Sequence, residues 1–240
     1  MNTYRKTATI VGALFIVGTV AGIISVVLTS PTLTAPDYLA RIAANGNRIT
    51  LGALSILVMG FALAMIPVLM FPIFRKQNET LAVGYVVFRG ALETFTSIFI
   101  AICWLLLLPL SQAFATAGAP DASHFQTLGA LLLVAAELPV PVFAFSLGAL
   151  IFYSLLYKSN LIPRWLSVWG FIAIALHIAT GLLLMFGLQT SFSPLNTVMN
   201  FPIFLQEMVM AVWLIVKGFN QSAIASLFAK KVTNELRSGS

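Results

Sequence analysis

The chain has 240 residues, 60% of them hydrophobic and 8% charged, with a mean hydropathy of +0.99. Soluble domains are ordinarily about 25% charged, so a soluble enzyme or binding module is excluded and a membrane protein is indicated. The net charge of +6 would suggest nucleic acid in a soluble protein. Here the basic residues flank apolar runs, where they set topology and meet anionic lipid, and no nucleic-acid partner is expected.

A spanning helix needs about 20 apolar residues, and six such runs are predicted. The fold class is therefore all-α, a polytopic bundle of six transmembrane helices over residues 1–217, followed by a tail over 218–240. Residues 7–29 form the first helix. Arg5 and Lys6 ahead of it imitate a secretory signal, but the run is too long for an h-region and lacks a clear small-residue cleavage site. Gly18 and Gly22 stand in the GxxxG spacing, which either permits close helix approach or reflects the ordinary glycine content of membrane helices. Residues 30–48 hold a short surface helix with Thr34 as cap, Pro36 in the first turn and Asp37 at the capping-box position. Its apolar side, Leu39, Ile42 and Ala43, is expected to lie on the membrane interface.

The second helix covers 49–74 and is bent or ended by Pro67 and Pro72. Arg75, Lys76 and Glu79 turn into the third, 81–108, which carries Tyr85, Arg89, Glu93 and Ser97. The connection at 109–123 contains no lysine or arginine. Asp121 is expected to cap the fourth helix, which runs to about residue 157 and contains Glu137, Pro139 and Pro141. Lys158, Pro163 and Arg164 mark the turn into the fifth, which carries His177. The sixth runs to 217 with Asn196, Asn200, Pro202 and Glu207. Beyond Gly218 the tail reads as a basic amphipathic helix, with Ile224, Leu227, Phe228 and Val232 on one face, and is expected on the inner leaflet.

Counted by connection, Arg5, Lys6, Arg75, Lys76, Lys158, Arg164, Lys217, Lys230, Lys231 and Arg237 fall on one side, and only Arg41 and Arg48 on the other. That asymmetry predicts both termini in the cytoplasm, with anionic lipid as the partner of the basic face.

Four-residue steps along a helix give Tyr85, Arg89, Glu93 and Ser97 as one polar arc. Charges at the bilayer centre face the bundle interior, so the arc should point inward. At 1.5 Å per residue Glu93 lies roughly 18 Å from its helix end, and Glu137, His177 and Glu207 are placed at similar depth. The candidate ion- or proton-binding set is Arg89, Glu93, Glu137, His177 and Glu207, with Tyr85, Ser97, Asn196 and Asn200 as supporting polar groups. Arginine stays charged, so three buried acids facing one guanidinium require a proton or a cation on at least one of them. Pro202 frees the carbonyl of Val198, and Pro139 and Pro141 free those of Ala135 and Glu137, which a cation or waters could use.

No catalytic residue is assigned, because HExxH, GxSxG and phosphate-loop patterns are missing and the two histidines, His124 and His177, differ in depth. No cofactor or metal is implied, since the carboxylates lack the spacing of bundle metal sites. Cys103 is the single cysteine, which leaves no disulfide or thiolate cluster to consider.

The segment YRKTA at 4–8, RITLG at 48–52, KSNLIPRWLSVWG at 158–170, and the ending from Glu207 to Trp213 with Lys217 and Gly218 resemble the bacterial integral-membrane family catalogued as domain of unknown function 4386. The resemblance implies a six-helix protein of the bacterial inner (plasma) membrane and carries over no activity and no site residue. Three readings stay open. One is proton, cation or small-solute binding or transport; another is a structural or sensing role through a membrane partner; the third is an intramembrane lipid-modifying enzyme.

The charge asymmetry is tested by fusing alkaline phosphatase to the C-terminus and near Gly118. The expected outcome is activity at Gly118 and none at the C-terminus; an active C-terminal fusion would invert the topology.

Overall fold

The computed structural model describes residues 3–117, 122–191 and 193–238, with side chains as far as Ala229. All regular secondary structure among the described residues is helical, with no strand. Six candidate spans are long and apolar enough to cross a membrane: Thr3–Leu33, Asn47–Phe74, Glu79–Thr116, Ala122–Ser159, Arg164–Met185 and Pro194–Val216. They comprise α1 (Thr3–Leu33), α3 (Asn47–Phe74), α4 (Glu79–Tyr85) running through a π-helical segment into α5 (Glu93–Thr116), α6 (Ala122–Glu137) and α7 (Val140–Ser159), α8 (Arg164–Met185) and α9 (Pro194–Val216). The short α2 (Tyr38–Ala44) and the terminal α10 (Gln221–Ser238) complete the chain.

Each span packs on the next in sequence, and the sixth packs back on the first. The result is a closed ring of up-and-down helices. Small residues set its tightest contacts. A Cβ at Gly18 would press into Leu63 and one at Gly22 into Met59, so the GxxxG spacing serves the seam between α1 and α3 within this chain. There Ser25 Oγ donates to the Gly52 carbonyl at 2.8 Å.

Several boundaries differ from the sequence reading. The third span continues through Pro109 to Thr116, because LSQAFAT sustains a helix once the proline ring is accommodated. Asp121 lies outside the described residues. The fourth span is broken at Leu138 and Pro139, between α6 and α7. Helix α2 begins at Tyr38 without a side-chain cap, and Asp37 instead pairs with Arg41 at 2.7 Å. Leu39 and Ile42 are buried, Ile42 against Leu33, Ile49 and Leu107, so this apolar face is covered by protein and not by the membrane interface.

The end of the ring that carries the termini is tied together. Arg5 Nη2 donates to the carbonyls of Ile215 and Val216 at 2.7 and 2.9 Å, a cation on the open C-terminus of α9. Asn220 N–H donates to the Leu161 carbonyl at 2.9 Å. Phe219, Ala223, Ile224 and Leu227 are buried in the main core, and the Phe228 ring meets Tyr4 at 5.4 Å. The apolar face of α10 in this stretch is thus spent on the bundle, where the sequence pattern alone placed it on lipid.

Inside the ring, the half nearer this end is filled by aromatic rings from the first four spans. Tyr85 stacks on Phe152 at 5.0 Å, Phe74 meets both edge-on at 5.8 and 5.9 Å, and Phe15 and Tyr153 approach Phe152 at 6.1 and 5.5 Å. These rings close the floor of the interior. Directly above them Gly148 of α7 lies on the backbone of Arg89: a Cβ there would stand 2.9 Å from Arg89 Cβ and 3.0 Å from its nitrogen. A Cβ at Gly84 would meet only the Ile151 Cδ1 tip, at 3.2 Å.

Gly148→Ala should therefore lower the melting temperature, at an overpacking cost of about 1–3 kcal/mol, whereas Gly84→Ala should be neutral or stabilising. Equal melting temperatures for the two variants would show that α7 does not rest on the Arg89 backbone.

Candidate functional site

The site begins with a departure from regular helix. Three four-residue steps along an α-helix drift about 120° in total, enough to carry Ser97 off the face defined by Tyr85. Residues Val86–Leu92 are π-helical, and the wider turn of that geometry holds more than four residues, so steps inside it rotate back. Tyr85, Arg89, Glu93 and Ser97 are accordingly all buried, at 1%, 2%, 8% and 3% exposure.

Arg89 reaches two carboxylates. Its Nη1 is 3.1 Å from Glu93 Oε2 on the same span, without the alignment of a hydrogen bond. Its Nη2 donates to Glu207 Oε1 at 3.1 Å, across the ring to α9. The guanidinium also lies over the Phe145 ring, 4.4 Å from its centroid, a cation–π contact strengthened by desolvation. Two carboxylates to one guanidinium leave one negative charge.

The same Phe145 ring meets the His177 imidazole edge-on at 4.9 Å. His177 Nδ1 pairs with Asn200 Oδ1, and Asn200 Nδ2 donates to the carbonyl and Oδ1 of Asn196 at 2.9 and 3.0 Å. Since Asn200 Oδ1 can only accept, Nδ1 carries the hydrogen of this pair. Asn196 in turn donates to the Ser191 carbonyl at 2.6 Å. A polar ladder thus climbs α9 and α8 from the level of Glu207 toward the turn before α9.

These groups line one cavity of about 620 Å³. Arg89, Glu93 and Glu207 form its charged floor, His177, Asn200 and Ser97 its polar wall, and its height runs to Trp104, roughly 20 Å of helix above Arg89. Val26 and Val27, which line its upper part, are themselves exposed on the side of α1, so the cavity reaches the surface of the ring there. A second, almost wholly apolar groove of about 550 Å³ runs between the third and fourth spans and shares Thr96, Ile100 and Pro141 with the cavity wall.

Of the residues singled out from the sequence, Arg89, Glu93, His177, Glu207, Ser97 and Asn200 converge on this cavity. Asn196 stands behind Asn200, and Tyr85 belongs to the aromatic floor, its hydroxyl without a partner. Glu137 does not join them. It is exposed, at the last residue of α6, and the 20 residues of α7 already span about 30 Å, a full hydrocarbon thickness. The break at Pro139 ends α6 at Glu137 and leaves its side chain exposed and outside the cavity lining, so the buried set holds two acids rather than three.

Three contributors lacked a sequence signal strong enough to single them out. Phe145 is one apolar residue among many, and Tyr153 and Gln206 form a buried pair in which the Tyr153 hydroxyl donates to Gln206 Oε1 and Gln206 Nε2 donates to the Leu166 carbonyl at 3.0 Å. An uncharged amide adjacent to Glu207 was the available hint for Gln206.

A protein-family model matches residues 10–218, nearly the entire ring of spans. The chain belongs to that family, Domain of unknown function (DUF4386). No curated protein and no solved structure matches it. For this DUF4386 chain the residues of the cavity therefore have to be weighed by their own chemistry.

Removing Arg89 would leave two buried carboxylates facing each other without a counter-charge. One-sided loss of a buried ion pair typically costs about 3–5 kcal/mol, whereas the exposed Asp37–Arg41 pair is worth under about 1 kcal/mol. Arg89→Leu is expected to depress melting temperature and yield strongly, while Arg41→Leu and Glu137→Gln leave both near wild type. Equal stability of Arg89→Leu and Arg41→Leu would contradict the buried charge set.

Proposed function

We propose that this membrane protein binds a small cation, the proton included, on the floor of its central cavity. The observation that carries the reading is the 2:1 ratio of carboxylates to guanidinium at Arg89, with the two acids on different spans and both lining open space. Burying an unpaired ion costs several kcal/mol even after relaxation, so the surplus charge calls for a proton or a bound cation. The ladder through Asn196, Asn200 and His177 offers hydrogen-bonding groups along the way to that floor, supporting access from the end away from the termini.

The aromatic floor supports a second reading, in which binding is sensed and nothing is passed through. Tyr85, Phe152, Phe74, Phe15 and Tyr153 block the route onward, so transport would require them to part. Flux in liposomes separates the two: ion binding with flux indicates a carrier, and binding without flux indicates a sensor.

Infrared difference spectroscopy addresses the charge count directly. In buffer free of small cations, the wild type should show the C=O band of one protonated carboxyl at neutral pH. The band should vanish in Glu93→Gln and in Glu207→Gln alike, since either substitution restores one acid to one guanidinium, and should persist in Glu137→Gln. If the wild type shows no such band and no sodium, potassium or methylammonium ion raises its melting temperature, the proposal is wrong.

A further inference from the structure

At the opposite end of the molecule, a cleft of about 790 Å³ lies between the ends of α3 and α7 and the side of α10. We propose that it binds a phosphate-bearing anion. Arg75 and Lys76 enter it from the end of α3, and Lys158 from the last turn of α7. Among the described residues that line it there is no carboxylate. Glu79, the nearest acid in sequence, is exposed on the following turn and outside the lining.

Magnitudes decide the sign of the site. Two helix C-termini, those of α3 and α7, lie at this region, each worth roughly half a negative charge. The full charges of Arg75 and Lys158 alone outweigh them, and the cleft stays positive. Two of the cations are also held in place by rings: Lys76 Nζ lies 5.3 Å from the Phe228 centroid and the Arg75 guanidinium 5.9 Å from that of Phe71. Guanidinium and ammonium groups with an adjacent amide at Asn78 suit the several acceptor oxygens of phosphate better than the two of a carboxylate.

The position of the cleft matters as much as its charge. Its inner side is made by Leu81 and Leu155, where apolar sequence of the third and fourth spans begins and ends, and its outer side by Ser226 and Leu227 of α10. A phosphate held there sits at the level of lipid headgroups and bridges α10 to the turn between α3 and α4. Occupancy should therefore steady α10 as well as the bundle. The phosphate could belong to a lipid or to a soluble ester, and the two sources are separable.

The test uses the full-length protein in phosphatidylcholine nanodiscs, alone, with phosphatidylglycerol, with inorganic phosphate in the buffer, or with oleate as an anionic amphiphile lacking phosphate. Melting temperature and amide exchange over residues 221–229 are read. Phosphatidylglycerol is expected to raise the melting temperature and slow the exchange, with at least a tenfold loss of apparent affinity in the Arg75→Gln, Lys158→Gln double variant. Near-normal response is expected in the charge-keeping Lys158→Arg variant and in Arg41→Gln at the other end. Response to phosphatidylglycerol alone assigns a lipid headgroup; response to inorganic phosphate as well assigns the phosphate group itself. An equal response to oleate, an unchanged response in the double variant, or no response to any phosphate compound overturns the proposal.

Discussion

The interior of the ring is organised by a single guanidinium that must satisfy two carboxylates from different helices. Arg89 cannot shed its charge, and its planar fork presents donors in fixed directions, so with Glu93 engaged on its own span, the 3.1 Å contact to Glu207 sets the separation of the third and sixth spans. Other features follow from bringing that group to the centre. The π-helical turn keeps Tyr85, Arg89, Glu93 and Ser97 on one face. Gly148 lets the fourth span lie directly on the arginine's backbone. Phe145 covers the guanidinium and positions His177 with its edge. Each is a local choice that would be unfavourable or neutral by itself and makes sense next to a buried cation.

The two halves of the ring then differ in kind. Below Arg89 the interior is apolar and close-packed, with aromatic rings in edge-on and stacked contact that contribute about 0.5–1.5 kcal/mol per pair beyond their burial. Above it the spans leave open space lined mostly by apolar side chains, among which the Ser97 hydroxyl, the Asn200 amide and the His177 imidazole stand out. Tight packing at one end and a cavity at the other place the charge set at a boundary. The basic residues concentrate at the packed end, where Arg5 caps α9 and α10 covers the core.

Much of this was legible in the sequence. Hydropathy located six spans because backbone groups in a bilayer leave few alternatives to helix, and intramembrane charges in so apolar a chain pointed inward on energetic grounds alone. Arg89, Glu93, His177, Glu207 and Asn200 do meet at one cavity. Glu137 misled because depth was measured along an unbroken helix, and Pro139 and Pro141 were read as freeing carbonyls in place of ending α6 altogether. The π turn was invisible because a four-residue spacing fits both helix types to within one face. The amphipathic pattern of α10 correctly marked an apolar side, but periodicity does not say whether protein or lipid will cover it.

The two glutamates are not equivalent, and the difference bears on what a change of charge can do. Glu93 meets Arg89 at an i, i+4 spacing within one span, so that contact persists whatever the neighbouring helices do. Glu207 meets it across the ring, and its contact reports the distance between the third and sixth spans. Neutralising Glu93 leaves a one-to-one bridge between helices and tightens the ring's cross-tie, because Arg89 then has a single charged partner. Neutralising Glu207 instead leaves the pair inside one helix and loosens the tie to α9, the helix whose C-terminus Arg5 caps and from which α10 continues. The site of the proton or cation therefore determines whether charge at the cavity floor is felt only locally or along the sixth span to the terminal helix.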